Sequence, residues 1–181
     1  MERNLVFIAL FAALIAALGL IPKIDLAFGV PITAQSLGIM LAGTVLGAKR
    51  GLLAVLLLLA LVALGLPLLS GGRGGLGVFT SPTAGFLVGF PIAAFVAGLI
   101  MQSWKHDNIA LVATVAAVVG GIIALYACGI VGLSVVLGKG LIESALLVTP
   151  FLIGDAIKAV ITGLVTQGIA KARPAMLLSR T

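Results

Sequence analysis

Asp155 and Lys158 are the residues in this chain best placed to do chemistry. They lie in the stretch 150–158, PFLIGDAIK, within an apolar segment, 146–170, long enough to cross a bilayer. Three residues apart on a helix, they share one face and can touch. A charge near the centre of a membrane helix costs roughly 2.5–3.5 kcal/mol on insertion scales, so neither side chain is expected to face lipid. Turned inward, they can meet each other or a polar ligand, and an intramembrane ionisable pair reads first as a functional site. The plainer alternative is a pair that neutralises itself and locks two helices together. Pro150 and Gly154 are expected to interrupt the segment, an irregularity tolerated where it lines a cavity.

Other chemistries find little support. Asp155 is the one acid within a span, so a paired-carboxylate mechanism has no second member. His106 is the only histidine and falls in a polar turn, and no His/Cys cluster has metal-ligand spacing. Cys128 is the only cysteine and lies in an apolar run, so it reads as a small buried hydrophobe. The Gly132 to Lys139-Gly140 stretch imitates a phosphate loop, but its spacing is wrong and no Ser or Thr follows the lysine, so no ATPase is expected. One acid beside one base suits recognition of a small solute with neutral polar and anionic parts. The second informative stretch is the glycine-rich loop 71–77, whose backbone can approach a ligand closely.

The elements that must position these residues are membrane helices. Of 181 residues, 62% are hydrophobic and only 9% charged, against about 25% charged in a soluble domain. The reading is an all-α polytopic membrane protein, residues 1–181 forming one domain. Six spans are expected, at 5–21, 33–48, 52–69, 85–101, 109–137 and 146–170. A signal peptide ending near Ala17-Leu18-Gly19 is the alternative for the first, but further spans follow and a retained helix is favoured. Lys49-Arg50-Gly51 reads as a tight basic turn, 52–69 as lipid-facing, and 109–137 as longer than a span needs, its last turns leaving the membrane. Ala9, Ala13 and Ala17 recur every four residues and make a ridge of small side chains on which another helix can pack. The net charge of +6 comes without a basic stripe, so nucleic acid is not expected as a partner. Arg3, Lys49, Arg50, Lys105, Lys171, Arg173 and Arg180 fall on one side of a six-span topology, and Lys23, Arg73 and Lys139 on the other. Basic residues concentrate inside, so both termini are expected in the cytoplasm. The loops 22–31 (with Lys23 and Asp25), 71–77 and around Lys139 then roof an outward-facing site above Asp155 and Lys158.

Several motifs in order resemble the BioY family, the biotin-specific S components of energy-coupling factor (ECF) vitamin transporters. They are Val30-Pro31-Ile32-Thr33-Ala34-Gln35, Leu41-Ala42-Gly43, Leu46-Gly47-Ala48-Lys49-Arg50-Gly51, Gly65-Leu66-Pro67, the 71–77 loop, Ser81-Pro82-Thr83-Ala84-Gly85-Phe86, Pro150-Phe151 and Gly154-Asp155-Ala156-Ile157-Lys158. The resemblance spans nearly the whole chain. It implies a six-helix, membrane-embedded biotin-binding subunit in the cell membrane that is not an enzyme and has no cofactor beyond its transported ligand. It implies biotin contacts from Asp155 and Lys158, completed by Thr33, Gln35, Gly72, Arg73, Gly74, Pro82 and Gly85. Arg73 stands where the family loop often has an uncharged residue, and its cation is able to attract the carboxylate of biotin. The resemblance also implies that Ala9, Ala13 and Ala17 dock on a transmembrane T component driven by two ATPase subunits. Three other readings are separable by experiment: a solitary vitamin transporter, a membrane enzyme acting on lipid with Asp155 as base, and a scaffold without a ligand.

Overall fold

A computed structural model describes residues 2–24 and 29–180. Asp25, part of the expected 22–31 loop, lies outside the described residues. The chain runs through α1 (Glu2–Leu18), α2 (Gln35–Leu46), α3 (Ala48–Ala63), a 3₁₀ turn (Leu76–Thr80), α4 (Ala84–Ser103), α5 (Ile109–Val118), α6 (Leu125–Leu137), α7 (Leu141–Leu147) and α8 (Phe151–Ala172). Among the described residues there is no strand, only two isolated bridges, Ile24 with Ile32 and Leu69 with Arg73.

α5 and α6 form one rod, Ile109–Leu137, joined through a wide π turn at Val119–Ala124. That rod, α4 and α8 are each long and apolar enough to cross a membrane. With α1, α2 and α3 they make six alternating passes. α2, with 12 residues, rises only about 18 Å, well short of the roughly 30 Å hydrocarbon core. Its burial explains how so short a helix survives: nearly every residue from Gln35 to Leu46 is buried among α3, α4 and α8.

The structure corrects three local expectations. The reversal after α2 pivots on Gly47, whose φ of +84° suits glycine, and Lys49, Arg50 and Gly51 belong to the first turn of α3. α3 is not simply lipid-facing: Ala54, Val55, Leu58 and Val62 are buried, while Leu53, Leu56 and Leu57 face outward. An apolar composition on both faces hid this division, since no polar stripe marks the outer side. Pro150 and Gly154 do not break the last span. Pro150 immediately precedes α8, where a missing N–H costs nothing, and the helix runs unbroken through Gly154. The irregularity sits earlier, in the separate short α7 and the turn 148–150. The rod 109–137 is helical throughout, passing through the π turn at Val119–Ala124.

One end of the bundle gathers both ends of the described chain. The C-terminal segment folds back under α2, with the Ser179 amide donating to the Val45 carbonyl at 2.9 Å and Arg50 Nη1 to the Leu178 carbonyl at 3.1 Å. The start of α1 lies by the α2–α3 junction. The opposite end carries the glycine-rich loop, the 3₁₀ turn, the 29–34 segment and α7.

Candidate functional site

At that opposite end a cavity opens between α2, α4, α6 and α8. Asp155 and Lys158 meet there on one face of α8, as their spacing requires. The Lys158 ammonium lies 2.8 Å from Asp155 Oδ1. Asp155 is 5% exposed, so its charge depends on its partners. Oδ1 also accepts from Ser36 Oγ at 3.0 Å, and Oδ2 accepts from the Tyr126 hydroxyl at 2.8 Å. Lys158 Nζ donates further to the Thr33 carbonyl at 2.6 Å and to Ser36 Oγ at 2.9 Å. All three ammonium protons therefore have acceptors within the protein. Oδ1 accepts two hydrogen bonds and Oδ2 one. A carboxylate has about four acceptor positions, so Oδ2 retains capacity for one further donor.

Apolar and aromatic surface surrounds this polar knot. Phe151 lies 6.1 Å from Phe86 and 6.4 Å from Tyr126, ring centre to ring centre, the latter pair edge-on at 72°. Leu87, Phe90 and Leu125 extend the wall. Arg73 closes the loop side, with Nε 3.3 Å from the Ser70 carbonyl and Nη1 3.3 Å from Thr83 Oγ1. The enclosed space is about 60 Å³, below the roughly 300–1,000 Å³ of small-molecule pockets.

Of the residues expected at the site, Thr33, Gln35, Arg73, Asp155 and Lys158 line one cavity. Thr33 contributes its carbonyl, while its hydroxyl oxygen accepts from the Gln35 amide at 3.3 Å. Gln35 is occupied structurally. Its Nε2 donates to the Ile15 and Leu68 carbonyls, each at 3.1 Å, and its Oε1 accepts from the Ser70 amide at 2.9 Å. It thus ties α1 and the 68–70 segment to the start of α2.

Gly72, Gly74, Pro82 and Gly85 are not among the lining residues. Gly72 is exposed in the loop. A Cβ on Gly74 would run into the Leu66 carbonyl oxygen. Pro82 packs near Gly29, and Gly85 lets α4 cross α6, since a Cβ there would come within 2.7 Å of Gly132 Cα. Ala9, Ala13 and Ala17 are exposed on α1, whose opposite face buries Phe11, Ala12 and Ile15.

The sequence reading missed Ser36, Tyr126, Thr83 and the Phe86–Phe151 wall. One signal was available: Tyr126 is the only tyrosine, a lone phenol in a long apolar run.

Fold and cavity together define a multi-pass membrane protein whose bundle holds a buried, charge-paired, aromatic-walled site at one end. Residues 2–175 match the model of the BioY family. The biotin transporter BioY of Rhodobacter capsulatus is 55% identical, covering 99% of this chain and 100% of the relative. The protein of that name from Lactococcus lactis is 32% identical over 93% of this chain and 91% of its own. A crystal structure of the S-component for biotin from an ECF-type ABC transporter superposes with a TM-score of 0.88 at 32% identity, covering 94% of this chain and 92% of the other. The chain belongs to the BioY family.

Proposed function

We propose that this chain is a biotin-capturing S component: a membrane-embedded binding subunit that takes biotin from outside and passes it inward as part of an ECF transporter. The observation that carries this reading is the Asp155 carboxylate, buried, held by Ser36, Lys158 and Tyr126, with one acceptor position left at a cavity walled by aromatic rings. Biotin has complementary parts. Its ureido ring offers two N–H donors and a carbonyl acceptor, the tetrahydrothiophene ring fused to it is apolar, and its tail ends in a carboxylate.

In this reading the ureido group goes deep. One N–H donates to Asp155 Oδ2, a charge-assisted bond in a dry site. Lys158 is already saturated, so it serves first to hold the carboxylate charged and oriented, and it turns to the ureido oxygen only by giving up the Thr33 or Ser36 contact. The fused rings lie against Phe86, Tyr126 and Phe151. The tail carboxylate points toward Arg73. The cavity is too small for this ligand as it stands, so the loop side has to yield on entry.

The charge distribution supports an orientation with both termini in the cytoplasm. Seven of the eleven basic residues fall at the termini-bearing end or its connections, and three at the cavity end. The exposed Ala9, Ala13 and Ala17 ridge is the surface proposed to meet a T component, itself driven by ATPase subunits. The chain then binds and carries, and it catalyses no reaction.

Calorimetry on the purified protein in nanodiscs tests the reading. Biotin is expected to bind tightly and stoichiometrically. An analogue whose ureido nitrogens are both methylated should fail, since it offers Asp155 no N–H. Equal binding of that analogue, or no binding of biotin, would overturn the proposal.

A further inference from the structure

At the termini-bearing end a recess of about 520 Å³ opens between the start of α1, the α2–α3 junction and the last turns of α4. It is separate from the cavity described above and shares no residue with it. One wall is apolar, made by Phe95 and Leu99. Gln102 continues that face of α4, and the facing side carries Asn4, Lys49 and Arg50 beside Leu46 and Ala48.

Among the described residues no acidic side chain answers these cations. The first turn of α3 contains Lys49 and Arg50 and no acid. Among the described residues neither makes an ion pair. Lys49 is exposed, and Arg50 is half-buried, with Nη1 held by the Leu178 and Leu46 carbonyls. Gln102 is neutral, and its Oε1 is engaged by the Ala48 amide at 3.3 Å. Two cations side by side repel each other, and a recess with low-dielectric walls concentrates their field.

The recess also sits at a particular depth. Leu99 is 45% exposed on the flank of α4, and within the next turn the chain becomes polar at Gln102 and Ser103 and reaches Trp104, 40% exposed. A tryptophan at the end of an apolar helix marks the headgroup level of a bilayer. Basic pockets between transmembrane helices at that level suit anionic lipid headgroups.

We propose that this recess binds an anionic phospholipid, with the phosphodiester on Lys49 and Arg50 and an acyl chain along Phe95 and Leu99. The apolar wall distinguishes a lipid from a free anion, because a soluble phosphate would leave it unused. The bound lipid would fasten the α2–α3 junction, and through Arg50 the C-terminal segment, to the membrane surface.

The test compares the full chain in nanodiscs of phosphatidylcholine with nanodiscs of phosphatidylcholine mixed with phosphatidylglycerol. Native mass spectrometry counts retained lipid, and thermal unfolding is followed in parallel. Phosphatidylglycerol should be retained in preference to phosphatidylcholine and should raise the midpoint. Lys49→Gln should lower that retention about fivefold, the loss of one surface cation. Lys49→Arg should preserve it, and Leu99→Trp, which fills the acyl side, should lower it. In phosphatidylcholine alone Lys49→Gln should melt as the parent does, showing that it folds. Inorganic phosphate should not shift the midpoint. Equal retention of the two lipids, retention unchanged by Lys49→Gln, or stabilisation reproduced by inorganic phosphate would each overturn the proposal.

Discussion

Replacing Asp155 with Asn tests whether the buried carboxylate serves a ligand or only the fold. The change is nearly isosteric, and the structure shows how the amide would settle. Its oxygen takes the Oδ1 position, accepting from Ser36 and Lys158. Its NH₂ takes the Oδ2 position, 2.8 Å from the Tyr126 oxygen, which can rotate its proton away and accept. The internal network therefore survives in outline, although Lys158 loses its counter-charge. What does not survive is the vacant acceptor position on Oδ2, which becomes an N–H facing a ligand N–H. The ligand loses a charge-assisted hydrogen bond, worth about 1.5–3 kcal/mol, and keeps an unsatisfied donor in a dry site. Breaking one side of a buried charged contact costs about 2–5 kcal/mol in total. Biotin affinity should fall roughly 30-fold to several thousand-fold, at 1.4 kcal/mol per tenfold. Calorimetry and thermal unfolding on the same nanodisc preparations measure both consequences. A stable Asp155→Asn protein that binds biotin within a few-fold of the parent would refute the reasoning. So would a protein that unfolds when either Asp155→Asn or Lys158→Gln is made alone and recovers both stability and binding when the two are combined, because the pair would then be purely structural.

The other surfaces give further expectations. Ala13→Trp projects a large ring from the exposed face of α1, so biotin binding should be unchanged while co-purification with a T component is lost; a complex that still assembles places docking elsewhere. For topology, with Cys128 first replaced by Ala, Leu76→Cys at the cavity end should react with an impermeant thiol reagent added to intact cells, and Lys105→Cys should not. The reverse pattern would invert the proposed orientation and turn the cavity toward the cytoplasm.

The helical class and the number of passes were legible because the sequence has almost no polar residues to spend outside turns. Where every position is apolar, periodicity stops carrying information. That is why the buried face of α3 could not be told from its lipid face, and why α2 and the turn at Gly47 were blurred into a span ending in a basic turn. Lys49 and Arg50 look like a loop by charge, yet they sit in a helix because the reversal is completed two residues before Lys49, by Gly47 at positive φ. Pro150 misled for a related reason. A proline signals a break only when it falls inside a helix, and the sequence does not say that α8 starts just after it.

The pair on α8 was readable because its chemistry and its spacing lie within one element. Its partners were not, because they arrive from elsewhere in the chain. Ser36 is 119 residues from Asp155 and Tyr126 is 29 residues away, and nothing local to either says that they converge. Tyr126 reaches Asp155 from just beyond the π turn. Such a turn carries an extra residue per hydrogen-bonded ring and so resets which face of the rod the following residues occupy. A uniform helical wheel drawn from Ile109 would therefore misplace the phenol. Gln35 shows the converse case. It has the right chemistry to be a ligand contact and a place in the cavity wall, but its donors and one acceptor position are consumed in tying α1 and the 68–70 segment to α2. Its contribution is to fix where Ser36, the next residue, stands against Asp155 and Lys158.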